Sequence, residues 1–190
     1  MKKWSKNRAK EWFSKQPWLV GCNFLPSSAI NQLEMFQSET FDSETLKREV
    51  GWAQQLGFNT LRVYLHDLLW QEDSEGFCKR LNHFLDICTQ NKIRPILVLF
   101  DDCHRDDPIL GVQPLPIAGV HNSGWKQSPG KNMVDAINKD RATSNQIKHL
   151  KDFVQGVMDY FSKDDRILMW DIYNEPGQFG KGENSLKLLK

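Results

Sequence analysis

The sequence predicts an α/β fold, the N-terminal half of a (β/α)8 barrel preceded by a helix, and three observations predict it. Apolar runs of strand length alternate with runs of helical period, in the order β-α-β-α-β-α-β. Such alternation implies a parallel sheet with right-handed crossovers. The turn after the first strand, Asn23-Phe24-Leu25-Pro26-Ser27-Ser28, lacks the Gly-x-Gly that a doubly wound nucleotide-binding sheet carries there. The last strand ends in Asn174-Glu175-Pro176. Barrel strands deliver polar groups from their C-terminal ends to the face where active sites are built. Four βα units are half of a barrel, so residues 1–190 read as one domain.

Each element has its own warrant. Trp4, Arg8, Ala9, Trp12 and Phe13 recur at near-helical spacing, predicting a short amphipathic helix over residues 4–15 that Pro17 closes. Residues 19–24 read as a short buried strand ended by Pro26. Residues 31–36 read as a loop, although Met35 and Phe36 make it apolar for a linker. Asp42 or Ser43 is a good N-cap for the first crossover helix. That helix has Leu46, Val50, Ala53 and Leu56 on one face and Gly57 just beyond its end.

Residues 58–65 form the second strand, with Arg62, Tyr64 and His66 on one face and Leu61, Val63 and Leu65 on the other. A second helix starts near Asp73 or Ser74 and carries Phe77, Leu81, Phe84, Leu85 and Cys88 on one side. The third strand covers residues 95–100. Residues 101–142 then form a long connection rich in Asp, Pro, Gly and His, of a length that is usually functional. A third helix spans residues 144–161, the fourth strand begins at Ile167, and residues 185–190 enter a fourth helix.

Composition excludes several functions. Lys and Arg number 25 against 24 Asp and Glu, a net charge of +1. That balance offers no footprint for nucleic acid or an anionic membrane, so neither is expected as a partner. No window is apolar enough to span a bilayer. The N-terminus is basic but lacks the apolar core of a signal peptide, which implies a cytoplasmic protein, or an exported one whose signal has been removed. Cys22, Cys78, Cys88 and Cys103 show neither Cys-x-x-Cys spacing nor paired His, so reduced thiols are expected and a zinc site is not. No cofactor is implied. The 7 Trp and 11 Phe are core-forming, although Trp is also the usual stacking surface for sugars.

Glu175 is the leading catalytic candidate, because a carboxylic acid on a barrel's catalytic face can protonate a leaving oxygen. Asn174 beside it suits a substrate hydroxyl. Arg62 is a guanidinium in mid-strand on the inward face, and inward charge requires a carboxylate from another strand. His66 ends the second strand, Asn23 ends the first, and both suit substrate contacts. His121 and Trp125 in the long connection can line a sugar subsite. Asp101, Asp102 and His104 could ligate a metal, but without a fuller ligand set they read as substrate contacts or loop caps.

The run Asp171-Ile172-Tyr173-Asn174-Glu175-Pro176 resembles the fourth-strand motif of the clan A glycoside hydrolases. Arg62 in Leu61-Arg62-Val63-Tyr64 resembles the second-strand arginine of the family 5 cellulase-like group. Longer runs at residues 16–24, 29–36, 56–70 and 119–125 resemble a bacterial subgroup labelled cellulase-like or 1,4-β-xylanase. The resemblance implies a retaining β-glycosidase acting on β-linked plant polysaccharide or oligosaccharide. It implies Glu175 as acid/base, Asn174 on the sugar 2-hydroxyl, and Arg62 holding the nucleophile. The family's nucleophile is a Glu ending the seventh strand, and this chain has no seventh strand. Glu183, in a Gly-rich turn, is no substitute. The chain alone is therefore expected to be inactive. Two alternatives are a non-catalytic carbohydrate-binding half-barrel that dimerises through its open edges, and a metal-dependent hydrolase built on residues 101–104.

Overall fold

Four strands run parallel in chain order: β1 (Gly21–Asn23), β2 (Thr60–Tyr64), β3 (Ile96–Asp101) and β4 (Met169–Asn174). They belong to a computed structural model that describes residues 3–103, 107–177 and 187–188. In register, Asn23 lies beside Arg62, Tyr64 beside Val98, and Asp101 beside Asn174. All four C-terminal ends therefore meet at one end of the sheet. The helices are α1 (Lys6–Ser14), α2 (Gln32–Phe36), α3 (Ser43–Gln55), α4 (Asp67–Gln90), α5 (Lys131–Asn138) and α6 (Ser144–Phe161).

Leu61, Val63 and Leu65 of the β2 segment and Leu97 and Leu99 of β3 face the core formed with the helices. Phe77, Leu81, Phe84 and Leu85 of α4 and Phe153 and Val157 of α6 belong to the same cluster. Phe36 stands edge-on to Phe77 and Phe84, with centroids 5.9 and 6.0 Å away. Each such ring, fully buried, stabilises the fold by about 1.5–3 kcal/mol. Gly156 lets α6 approach Trp70: a Cβ there would lie 2.0 Å from the indole.

Local chemistry sets the helix ends. Asp42 accepts from Thr45 N at the start of α3, and Gly57 takes φ +87° just past its end. Thr143 and Gln146 form a capping box at the start of α6, whose bounds match the expected residues 144–161.

Four expectations change. The segment at residues 31–36 is a helix rather than a loop, because Asn31 caps α2 by accepting from Glu34 N. The first strand, expected to be buried, is exposed at all three residues because β1 is an edge strand. A helical segment that begins at Asp67 was not expected, and it precedes the second helix, which starts at Asp73 as expected. Asp73 is non-helical (φ −158°, ψ 78°) and caps the second segment of a bent α4 by accepting from Gly76 N. The long connection contains α5, which the sequence pattern did not reveal. The expected fourth helix at residues 185–190, Glu183 and His104 lie outside the described residues, apart from a turn at 187–188.

The predicted N-terminal helix is present as α1, capped by Ser5, and none of its residues is buried. No helix among the described residues is long and apolar enough to cross a membrane.

Candidate active site

At the C-terminal ends of the strands lies an open cleft of 560 Å³. Its floor begins with Arg62. Strand alternation sends Leu61 and Val63, both 0% exposed, into the core and leaves Arg62 on the opposite face. Its Nε and Nη2 donate to Asp171 Oδ2 at 3.1 and 2.5 Å. Nη2 also donates to Asn174 Oδ1 at 2.7 Å, and Nη1 to Asn23 Oδ1 at 3.3 Å and to the Tyr64 hydroxyl. The inward charge thus has its carboxylate partner, from β4. Burial disfavours the Arg62 cation, but its bond to Asp171 and the surrounding negative groups outweigh burial and raise its pKa. Burial pushes the Tyr64 phenol up to about 12 despite the opposing Arg62 charge, so Tyr64 stays neutral.

Asp101, 1% exposed, organises the opposite wall. Its Oδ1 accepts from Asn174 Nδ2 at 2.9 Å and Cys103 N at 3.1 Å, and its Oδ2 accepts from Trp125 Nε1 at 2.8 Å. The Trp125 ring stands edge-on to Tyr64, with centroids 5.0 Å apart. The amide of Asn174 is therefore oriented from both sides, its oxygen by Arg62 and its nitrogen by Asp101.

Glu175 follows immediately. Its φ of +47° is in the left-handed region, at a cost of about 1–2 kcal/mol for a residue with a Cβ. Gly177 then takes φ +82° and donates from its N to Asp102 Oδ2 at 2.9 Å, while Asp102 N donates to Asn174 O at 3.2 Å. These bonds staple the ends of β3 and β4 and hold the strained turn. Strain retained at a polar strand end points to function.

Of the residues expected at the site, Asn23, Arg62, His121, Trp125, Asn174 and Glu175 line this cleft. His66 does not. The chain turns into α4 straight after the β2 segment, and the imidazole is buried at 0% exposure, with Nδ1 accepting from Leu68 N. Asp102 acts as a turn cap, and Asp101 as a structural acceptor rather than an open ligand. No group of three or more His, Cys, Asp or Glu among the described residues is arranged to hold a metal.

Pattern reasoning singled out neither Asp171 nor Cys103 as site residues. An acidic residue in the middle of an apolar strand, three before Asn174, was the available signal for Asp171. Nothing in the sequence pattern pointed to Cys103, whose Sγ donates to Glu175 Oε2 at 3.1 Å. The four thiols are free, with Cys78 and Cys88 buried, Cys103 half-buried and Cys22 exposed.

The sequence model of the cellulase family (glycosyl hydrolase family 5) matches residues 26–188, a span that includes every cleft residue except Asn23, Phe24 and Leu25. No curated protein matches the chain.

Proposed function

Because the chain belongs to glycosyl hydrolase family 5, the cellulase family, we propose that it carries the acid/base half of a retaining β-glycoside hydrolase. The substrate would be a β-linked plant polysaccharide or its oligosaccharides, and residues 1–190 would form the N-terminal half of the catalytic (β/α)8 barrel. One observation carries the reading. Glu175 stands at the end of β4 in a strained turn and lines an open cleft beside an Asn174 amide held by Arg62 and Asp101.

In such a reaction Glu175 protonates the glycosidic oxygen as the bond to the leaving sugar breaks, and later takes a proton from the attacking water. Asn174 faces the sugar 2-hydroxyl, and Trp125 offers an indole whose tilt is fixed by Asp101 and Tyr64. Retention requires a second carboxylate about 5–5.5 Å from the first. Asp171 and Asp101 are poor nucleophiles, because each is held by donors from Arg62 or from Asn174, Cys103 and Trp125. The nucleophile would come from a strand beyond β4.

The purified 190-residue chain is therefore expected to leave aryl β-glycosides at the uncatalysed rate. Robust turnover, abolished in Glu175→Gln, would put both carboxylates within the chain and overturn the reading.

A second reading, a carbohydrate-binding half-barrel that self-associates, is favoured by exposure along β1 and at Ile172 of β4, which is 51% exposed. Unpaired strand edges favour association. Sedimentation velocity tests it: a monomer at every concentration excludes self-association.

A further inference from the structure

Cys103 has no part in the mechanism above, yet its thiol touches both residues of the Asn174-Glu175 pair. Its Sγ lies 2.8 Å from Asn174 Nδ2 and 3.1 Å from Glu175 Oε2. Its backbone N donates to Asp101 Oδ1 at 3.1 Å, which fixes the turn that aims the side chain. Burial first, then the bond to Glu175 and the charge of Asp101, push the thiol well above its ordinary pKa. The sulfur is therefore an S–H donor, not a thiolate nucleophile.

We propose that Cys103 is a positioning residue for Glu175. Its sulfur accepts from Asn174 Nδ2 and donates to Glu175 Oε2, tying that carboxylate to the Arg62–Asn174–Asp101 network. The inference rests on the reading of Glu175 as acid/base. A Glu on a strand end has three side-chain torsions to fix, and a misplacement of about 1 Å at a reacting group can cost on the order of 100-fold in rate. A thiol donor also favours the ionised carboxylate, the form that must take a proton from water in the second displacement.

Titration of the Glu175 carboxyl by NMR in protein labelled with 13C at glutamate carboxyls tests this, with the resonance assigned by its loss in Glu175→Gln. Cys103→Ala is expected to raise the Glu175 midpoint by about half a unit or more, since the lost donor stabilised the anion. Cys103→Ser, which restores a donor, is expected to return it toward the wild-type value. Among the described residues, the other titratable groups around Glu175 are Arg62 and Tyr64 on β2, Asp101 and Asp102 at the β3 end, Asp171 on β4, and His121 on the facing loop. None changes identity in these variants, so a shift that Ser reverses belongs to the Cys103 bond.

An unchanged midpoint in folded Cys103→Ala, or a shift that Cys103→Ser leaves in place, would overturn the proposal. If the Ala variant does not fold, the S–H infrared stretch of the wild-type protein decides. The band absent from Cys103→Ser is expected to move to higher frequency in Glu175→Gln, and a band that stays put contradicts the proposal. Neither readout depends on turnover, so failure of the acid/base reading and failure of this inference remain distinguishable.

Discussion

Asp67→Ala is expected to lower stability by about 3–5 kcal/mol, the usual cost of removing one member of a buried charged network. The Asp67 side chain is 3% exposed and lies where the β2 segment turns into α4. Its Oδ1 accepts from Ser128 Oγ at 2.8 Å and lies 3.1 Å from His66 Nδ1, and its Oδ2 accepts from His149 Nε2 at 2.7 Å. One carboxylate thereby joins α4, α6 and the long connection. The backbone of Ser128 also pairs with Asp101, N to O in both directions, at 2.7 and 3.2 Å. The buried carboxylate thus supports the wall of the cleft as well as the fold.

Burial pushes the Asp67 carboxyl up, but bonds from His149 and Ser128, with the His66 ring beside it, outweigh burial and hold its pKa well below the usual range. A depressed carboxylate contributes fully above its unfolded-state pKa of about 3.9 and loses that contribution as pH falls toward the folded-state value. The gap in urea stability between wild type and Asp67→Ala is therefore expected to be constant from pH 5 to pH 7. Below about pH 4 it shrinks by roughly 1.4 kcal/mol per unit. A gap that widens on acidification would contradict this assignment.

Arg62→Met is expected to be the most damaging change within the cleft. It leaves Asp171 without its cation and Asn174 Oδ1 without its donor, and it frees Asn23 and Tyr64. The pair is partly exposed, at 25% and 29%, so solvent screens it and the stability cost should be about 1–3 kcal/mol, less than at Asp67. The effect on the site should be larger, because the Asn174 oxygen then loses its donor and only the Asp101 and Cys103 contacts at its nitrogen still orient the amide. Arg62→Lys should not repair it. An ammonium cannot reach Asp171, Asn174 and Asn23 together, whereas the planar guanidinium forks among them. Thermal unfolding and oligosaccharide binding of both variants check this. Full binding in Arg62→Lys would mean that charge alone matters there.

Much of the fold was legible because its signals are local. Asp42 advertises a helix start, Gly57 a helix end, and the alternation through Leu61-Arg62-Val63-Tyr64 a half-buried strand. Asn31 misled because the same side chain that suits a turn also caps a helix, and α2 is too short to show a period. His66 misled because alternation holds only while the strand lasts, and the strand ends at Tyr64. The exposure of β1 depends on which strand lies at the edge, and that is a property of the sheet. Long-range pairs were the least visible. Arg62 and Asp171 are 109 residues apart, and Asp67 and His149 are 82 apart, so only the fold brings them together. An unpaired Arg in mid-strand implied that a partner existed without naming it.

The proposed acid/base role of Glu175 requires the ends of β2, β3 and β4 to form a β-glycan subsite around it. Calorimetric titration of the folded chain with cello- and xylo-oligosaccharides tests it most directly. One binding site is expected, retained in Glu175→Gln, which keeps the shape and hydrogen-bonding reach of the side chain, and lost in Trp125→Ala, which removes the indole wall. No binding by the folded protein, or binding that Trp125→Ala leaves unchanged, would contradict the account.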